Sequence, residues 1–289
     1  MTEEKTEKRL SGFGETFRRY RKSKLAMAGL IVFTIILFFA IFAGLFGTYQ
    51  ESVTQHIMEK LQSPSSKHWF GTDAYGRDLF LRCIYGARIS LIIGISSSAL
   101  SMLGGCLIGM TAGFYGGRYD NIIMRVMDIF SSIPTILLAI CIVAALGSDT
   151  INLIVALAIS RVPAFARIAR ASVMGESGRE YVEAAKAGGT RDARIMIRHI
   201  FPNILGPLLV QATTNVAQMI LQTASLSFLG LGVEAPAPEW GAIISGAKGY
   251  MLLYPYMIWI PGLCIILASM SINLIGDGLR DALDPRLKT

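Results

Sequence analysis

The chain has 289 residues, 53% of them hydrophobic and only 16% charged, with a mean hydropathy of +0.51, whereas ordinary soluble domains are about 45–50% apolar and about 25% charged. A soluble enzyme or binding module is excluded as a first reading, and the chain belongs in a bilayer. The net charge of +7 comes without a basic surface interleaved with aromatics, so no nucleic-acid partner is expected.

In chain order, residues 1–24 hold eight basic residues and read as a cytoplasmic N-terminal segment. Its "FRRYRKSK" (Phe17–Lys24) is a topology anchor next to membrane lipid and also suits contact with anionic headgroups. The first uncharged run of about 20 residues, the length that crosses the hydrocarbon, is Leu25–Gly47. The only A-x-A lies at its wrong end for cleavage, so it is expected to be a retained span. Residues 48–88 form an external segment. Its "GTDAYGRD" (71–78) reads as a polar turn and helix start, with Gly71 and Gly76 turning the chain and Asp73, Arg77 and Asp78 pairing locally.

Five further runs follow: Ile89–Gly113, Ile129–Gly147, Ile151–Arg170, Ile204–Leu231 and Leu252–Ile275. They make residues 89–275 a five-helix core, and residues 276–289 a tail. Segments 1–24, 114–125, 162–202 and 276–289 hold twenty basic residues against six in the outer segments. Lys and Arg are retained inside, so both termini are assigned to the cytoplasm. The expected fold is an all-α polytopic membrane protein, one membrane domain with six transmembrane helices.

The second span carries Ser97, Ser101, Gly105, Gly109 and Gly113, continued by Gly117, a small residue at every fourth position. In lipid such a face lets helix backbones approach closely, within the chain or across a subunit boundary. Pro134, Pro163, Pro207 and Pro261 each fall in a span and are expected to kink it. Kinks suit a structure that rocks between states and occur in static bundles too. Arg125 and Asp128 share a polar stripe with Asn121 and Ser132, an amphipathic entry at the cytoplasmic interface. Arg161, near the middle of its span, either lines a polar pathway or snorkels to an interface. Cys83, Cys106, Cys141 and Cys264 have neither paired nor metal-ligand spacing and read as small core residues. The only histidines, His56, His68 and His199, form no metalloprotease pattern.

Residues 171–202 interrupt the apolar runs with a charged loop. Glu176–Ala187 favours a helix with Tyr181, Ala184, Ala185 and Gly188 on one face, nearly flat and suited to close docking of another backbone. Gly188-Gly189 ends that helix, and Thr190 is placed to cap the next. Arg191–Ile200 then sets Ala193, Met196, Ile197 and Ile200 on an apolar face opposite Arg191, Arg194 and Arg198, with Pro202 as terminator. Two short helices joined by a glycine elbow make a lever. Taken without further information, an amphipathic loop resting on headgroups is the alternative.

The pattern Glu183-Ala184-Ala185, Gly189 six positions after Glu183 and Pro202 thirteen after Gly189 resembles the "EAA" loop of binding-protein-dependent ABC transporter permeases. The broad motif carries Ile and Leu where this chain has His199 and Phe201, and the "RHI-PN" version is similar to the peptide and nickel subgroup. "HWFGTDAYGRDLFLRCIYGARISL" (68–91), "YD" with "MRVMDI" (119–129) and "GDGLRDALDPR" (276–286) extend the resemblance over most of the chain, nearest the second, C-type subunit of dipeptide and oligopeptide permeases. The resemblance implies a type I importer permease in a bacterial or archaeal plasma (inner) membrane. It also implies a homologous second permease subunit, two ATPase subunits that use ATP and Mg, and an extracytoplasmic substrate-binding protein. No cofactor of the chain's own is expected. The sequence contains no Gly-Lys dipeptide, hence no G-x-x-x-x-G-K-[ST] phosphate loop. Glu183 would then be a polar contact or brace to the ATPase, Ala184 and Ala185 the docking face, and Gly188 and Gly189 the elbow. Peptide is the expected cargo, with nickel or a metal chelate as the alternative. A channel or secondary transporter is the competing class, disfavoured by few intramembrane carboxylates and no visible internal repeat.

Overall fold

The computed structural model describes residues 12–283. A short amphipathic helix, α1 (Gly12–Tyr20), leads into α2 (Lys24–Ile41), whose start is capped by Ser23 accepting from the Ala26 amide. α3 (Tyr49–Val53) follows, and the long α4 (Leu79–Tyr115) starts on the Asp78 side chain, which accepts from the Leu81 amide. Next come α5 (Gly117–Ser132), α6 (Thr135–Leu146) and α7 (Thr150–Ser177), then α8 (Glu180–Ala187) and the single turn α9 (Asp192–Arg194). A π-helical turn, Ile195–Ile200, runs directly into α10 (Phe201–Phe228). α11 (Trp240–Ala247) and α12 (Tyr256–Leu283) complete the described chain.

α2, α4, α7, α12 and the continuous stretch Asp192–Phe228 are long and apolar enough to cross a membrane. The expected third span, Ile129–Gly147, is instead a pair: α5 and α6 meet at 87°. Pro134 disfavours the helical conformation at its predecessor, and Ile133 is extended at φ −91°, ψ 127°. α6 has 12 residues, about 18 Å of helix, too short to cross about 30 Å of hydrocarbon alone. Among the described residues the spans number five, or six when this bent pair counts as one.

The expected small-residue face does its packing inside the chain, against α7. A Cβ added to Gly105 would lie 2.3 Å from the Phe165 Cβ, one on Gly109 2.2 Å from the Ala166 carbonyl oxygen, and one on Gly113 2.8 Å from that of Arg170. Ser101 Oγ donates to the Ala158 carbonyl at 3.1 Å. The periodicity stops at Gly113, because Gly117 opens α5 with a left-handed φ of +59° and open space around it. α5 is tied to α7 by a bidentate Arg170–Asp120 pair, both contacts 2.5 Å, and by Arg167 donating to Ser131 at 2.7 Å and to Asp128 at 3.3 Å.

Around the start of α4, Asp73 receives Arg77 Nε at 2.7 Å, and Asp78 accepts from His68 Nδ1 at 2.7 Å. α11, which hydropathy alone leaves inside a loop, is held by burial. Trp240 is fully buried, with Nε1 donating to the Cys83 carbonyl at 2.9 Å, and buried Glu239 accepts from Ser90 Oγ at 3.0 Å and the Ala242 amide at 2.8 Å. Pro163, Pro207 and Pro261 lie inside α7, α10 and α12. α12 continues to Leu283, through most of the expected tail; residues 284–289 of that tail, like 1–11 of the N-terminal segment, lie outside the described residues.

Candidate functional site

α8 sits across the basic end of the bundle, between the last turn of α7 and the first of α10. Val182 anchors it, fully buried in a cluster with Val173 of α7, Ile195 and Ile200 of the π turn and Ile204 of α10. Tyr181 fastens it on both sides: its hydroxyl donates to Glu176 Oε2 at 2.7 Å and accepts from Asn203 Nδ2 at 3.1 Å. Burial, and then the bond to Glu176, push this phenol above its ordinary value. The hydroxyl is therefore a protonated donor at neutral pH. Arg179 pairs with Glu176 at 2.9 Å. The Lys186 ammonium stands 4.9 Å from the Phe114 ring centroid, a favourable cation–π placement. The sequence placed Tyr181 on the docking face and did not single out Asn203; the fastening role of the pair was missed. Its signals were the "PN" of the loop and a tyrosine five residues after Glu176.

The helix ends in a Schellman motif. The Thr190 amide donates to the Ala185 carbonyl at 3.1 Å, and that of Gly189 to Lys186 at 3.0 Å, with Gly189 at φ +71°. This left-handed position is what glycine supplies at a helix end. Gly188 does not share that need, since its φ is −75°; its contribution is a surface with no side chain.

Four expectations for the loop are corrected. Ala185 does not lie with Ala184 on the open face but turns inward, packed against the cluster around Val182. Thr190 is not the cap of the second helix; Arg191 occupies that position, without a side-chain bond. The second helix does not bury Ala193, Met196, Ile197 and Ile200 together. Ile195 and Ile200 are fully buried, whereas Ile197 is 68% exposed and Ala193 is exposed too. The cause is the wider turn. The Phe201 amide donates to the Met196 carbonyl, five residues back, so residues five apart share a face here. Pro202 does not terminate this helix either. It occupies the first turn of α10, directly after the wide turn, and the helix runs on through it.

Glu183, Ala184, Gly188 and Gly189 are exposed together at one edge of α8, next to a recess lined by Thr190, Arg191, Ala193 and Arg194. Pro202 is exposed nearby at the start of α10. The result is a low surface, flanked by basic side chains, on a helix anchored to two transmembrane helices. Arg161 is not part of it. That residue lies within α7, 16 positions before its end, about 24 Å along the axis, half-buried, with Nε buried and without a hydrogen-bond partner.

Comparison with known proteins agrees with this architecture. Residues 105–289 match the family model of the binding-protein-dependent transport system inner membrane component, and residues 11–64 match the N-terminal transmembrane domain of oligopeptide transport permease C. A dipeptide transport system permease protein of Alkalihalophilus pseudofirmus is 44% identical over 97% of this chain and 92% of its own length. An oligopeptide transport system permease protein of Bacillus subtilis is 40% identical over 98% and 92%, and a glutathione transport system permease protein of Pectobacterium atrosepticum 40% over 95% and 91%. Among solved structures, the inward-facing MetNI methionine ABC transporter aligns with a TM-score of 0.57 at 20% identity, over 71% of this chain and 97% of its own, a likeness of fold. With six-tenths of the chain inside the larger family model and near full-length relatives at 40–44% identity, the chain belongs to the binding-protein-dependent ABC transporter permeases, in the branch of the dipeptide and oligopeptide C-type subunits.

Proposed function

We propose that the chain forms half of the translocation pathway of a peptide importer in a bacterial plasma membrane, with a homologous permease subunit supplying the other half. Two separate ATPase subunits, using ATP and Mg, dock beneath it, and an extracytoplasmic binding protein delivers the peptide. The chain itself carries out no hydrolysis. The observation that carries the coupling half of this reading is α8: a small-faced, exposed helix whose buried side is fastened to both α7 and α10. An ATPase that grips Glu183, Ala184 and Gly188 and moves on closing around nucleotide displaces the ends of two transmembrane helices together. Nucleotide then biases one of two discrete arrangements of the bundle.

Peptide as cargo is supported by relatives named for dipeptides, oligopeptides and glutathione, all amide-linked and all bearing a carboxylate. Nickel or a metal chelate is the second reading, because the "RHI-PN" version of the loop is shared by the peptide and nickel subgroup. The test is reconstitution with the partner subunits and binding protein, with uptake of labelled dipeptide and of nickel measured in parallel. ATP-dependent dipeptide uptake that an Ala184→Trp substitution removes is the expected result. Uptake that is independent of ATP, or carried by this chain alone, would establish a channel or secondary transporter instead.

A further inference from the structure

The end of the bundle away from α8 opens on a recess of about 760 Å3, within the range of about 300–1,000 Å3 usual for small-ligand sites. Its walls come from the segment before α4, the first turn of α4, the chain between α10 and α11, and α11 itself. Arg77 and Arg82 both line it. Most of the remaining wall is Gly, Ala and Ser, which leaves room for varied side chains and selects none.

Two guanidinium groups face one carboxylate here. Asp73 Oδ2 accepts from Arg77 Nε at 2.7 Å and lies 3.5 Å from Arg82 Nε, while Oδ1 accepts the Tyr75 and Arg77 amides at 2.8 and 3.1 Å. Arg82 is turned to the chain: its Nη1 donates to the Ser52 carbonyl at 3.2 Å and to that of Pro236 at 3.4 Å. Arg77 is different. Its Nη1 and Nη2 donate to nothing among the described residues and are not enclosed, and its side chain keeps 10% of its surface open. The bond to Asp73 and the Tyr75 ring, whose centroid is 4.7 Å from the guanidinium carbon, hold this fork still. Glu234, exposed on the rim, pairs with neither arginine. A fixed fork of open N–H groups with surplus positive charge takes a carboxylate in two parallel bonds, and being held beforehand it loses little freedom on binding.

On the proposed reading as a peptide importer, we infer that this recess receives a short peptide by its two ends. The carboxyl terminus lies on Arg77, with Arg82 supplying the second positive charge behind it, and the amino terminus lies at Glu234. Glu234 is two residues before Pro236, whose carbonyl accepts from Arg82. Two residues of chain span about 7 Å, the length of an extended dipeptide. Such a site reads free termini and not side chains: a blocked carboxyl terminus removes the anion, and a longer peptide carries its ammonium past Glu234.

The test uses the full reconstituted transporter, with ATPases, second permease subunit and binding protein, and radiolabelled alanyl-phenylalanine beside its carboxyl amide. A photoreactive phenylalanine at Gln55, exposed on the rim, is expected to label the dipeptide during ATP turnover. Gly246 lines the recess where an added Cβ meets nothing within 4 Å. Gly246→Glu, which puts an internal carboxylate there, is expected to lower dipeptide moved per ATP hydrolysed by about tenfold or more, the scale of a charge-assisted hydrogen bond, while Gly246→Gln keeps most of it. Arg77→Gln is expected to abolish a wild-type preference for the free over the amidated carboxyl terminus, corrected for the binding protein's own preference, and Arg77→Lys to keep part of it. Equal transport by the Glu and Gln variants, a wild type without the preference, or a preference unchanged in Arg77→Gln would overturn the inference. Labelling of the binding protein in place of the dipeptide would make the recess a docking site for that protein and overturn it too. A wild-type transporter that moves no dipeptide would overturn the proposed function, on which the inference rests.

Discussion

Replacing Gly189 isolates the elbow from everything around it. A Cβ built on this residue meets nothing within 4 Å, so a side chain there is opposed by backbone conformation alone and not by a clash. An L-residue held at φ +71° costs about 1–2 kcal/mol, less for Asn, which tolerates the left-handed region, and more for a β-branched residue. Since 1.4 kcal/mol is a factor of about ten in an equilibrium, Gly189→Ala should lower the share of elbows in the docking geometry several-fold and Gly189→Val by more than tenfold, while Gly189→Asn stays near wild type. The assay is peptide uptake in proteoliposomes beside binding-protein-stimulated ATP hydrolysis, with membrane insertion and yield as controls. The expected order of uptake is Gly, Asn, Ala, Val, with insertion unchanged throughout. Equal uptake by the Asn and Val variants would refute the reasoning, because it would mean that the bend is not what the ATPase grips.

The fastening of α8 makes a second prediction. Tyr181→Phe removes two hydrogen bonds, each worth about 1 kcal/mol net, and should weaken coupling with Val182 still in its pocket, measured as less uptake per ATP hydrolysed; Asn203→Ala should do part of the same. In the α4–α7 contact, Gly109→Leu should collapse the yield and thermal stability of detergent-purified protein, since the obstructing atom is a backbone carbonyl 2.2 Å away. Gly104→Ala is its control, meeting only the Val162 side chain at 3.3 Å, and should shift the melting temperature by little. Asp120→Ala strands a partly buried Arg170 and should loosen α5 from α7, seen as faster proteolysis near residues 116–134, and the exchanged pair Asp120→Arg with Arg170→Asp should recover part of the protection.

The spans were legible where apolar length and charge asymmetry act alone, as in α2, α4, α7 and α12. The elbow was legible because a left-handed helix end needs glycine, and the loop's spacing carried the family. What failed did so for local reasons. A run of hydropathy over residues 129–147 says nothing about direction, and Pro134 turns it by 87°. A periodicity of 3.6 assigns the wrong face when the ladder widens to five residues, which is how Ile195 was missed and Ile197 wrongly buried. α11 was invisible to hydropathy because its eight residues are held by distant groups, Cys83 and Ser90, that only the folded chain brings near. The inward turn of Ala185 likewise depends on Val182 finding its cluster.

The glycine-lined contact between α4 and α7 bears on how far a push at one end of this protein travels. Where Gly105, Gly109 and Gly113 lie, α4 offers no side chain of its own, so the main chain of α7 and the Cβ atoms of Phe165, Ala169 and Val173 come directly against its backbone. The two must travel as a single strut. On the proposed reading, a displacement imposed at Ser177, beside α8, is carried along α4 toward Leu79, where that helix begins at the opposite end of the bundle.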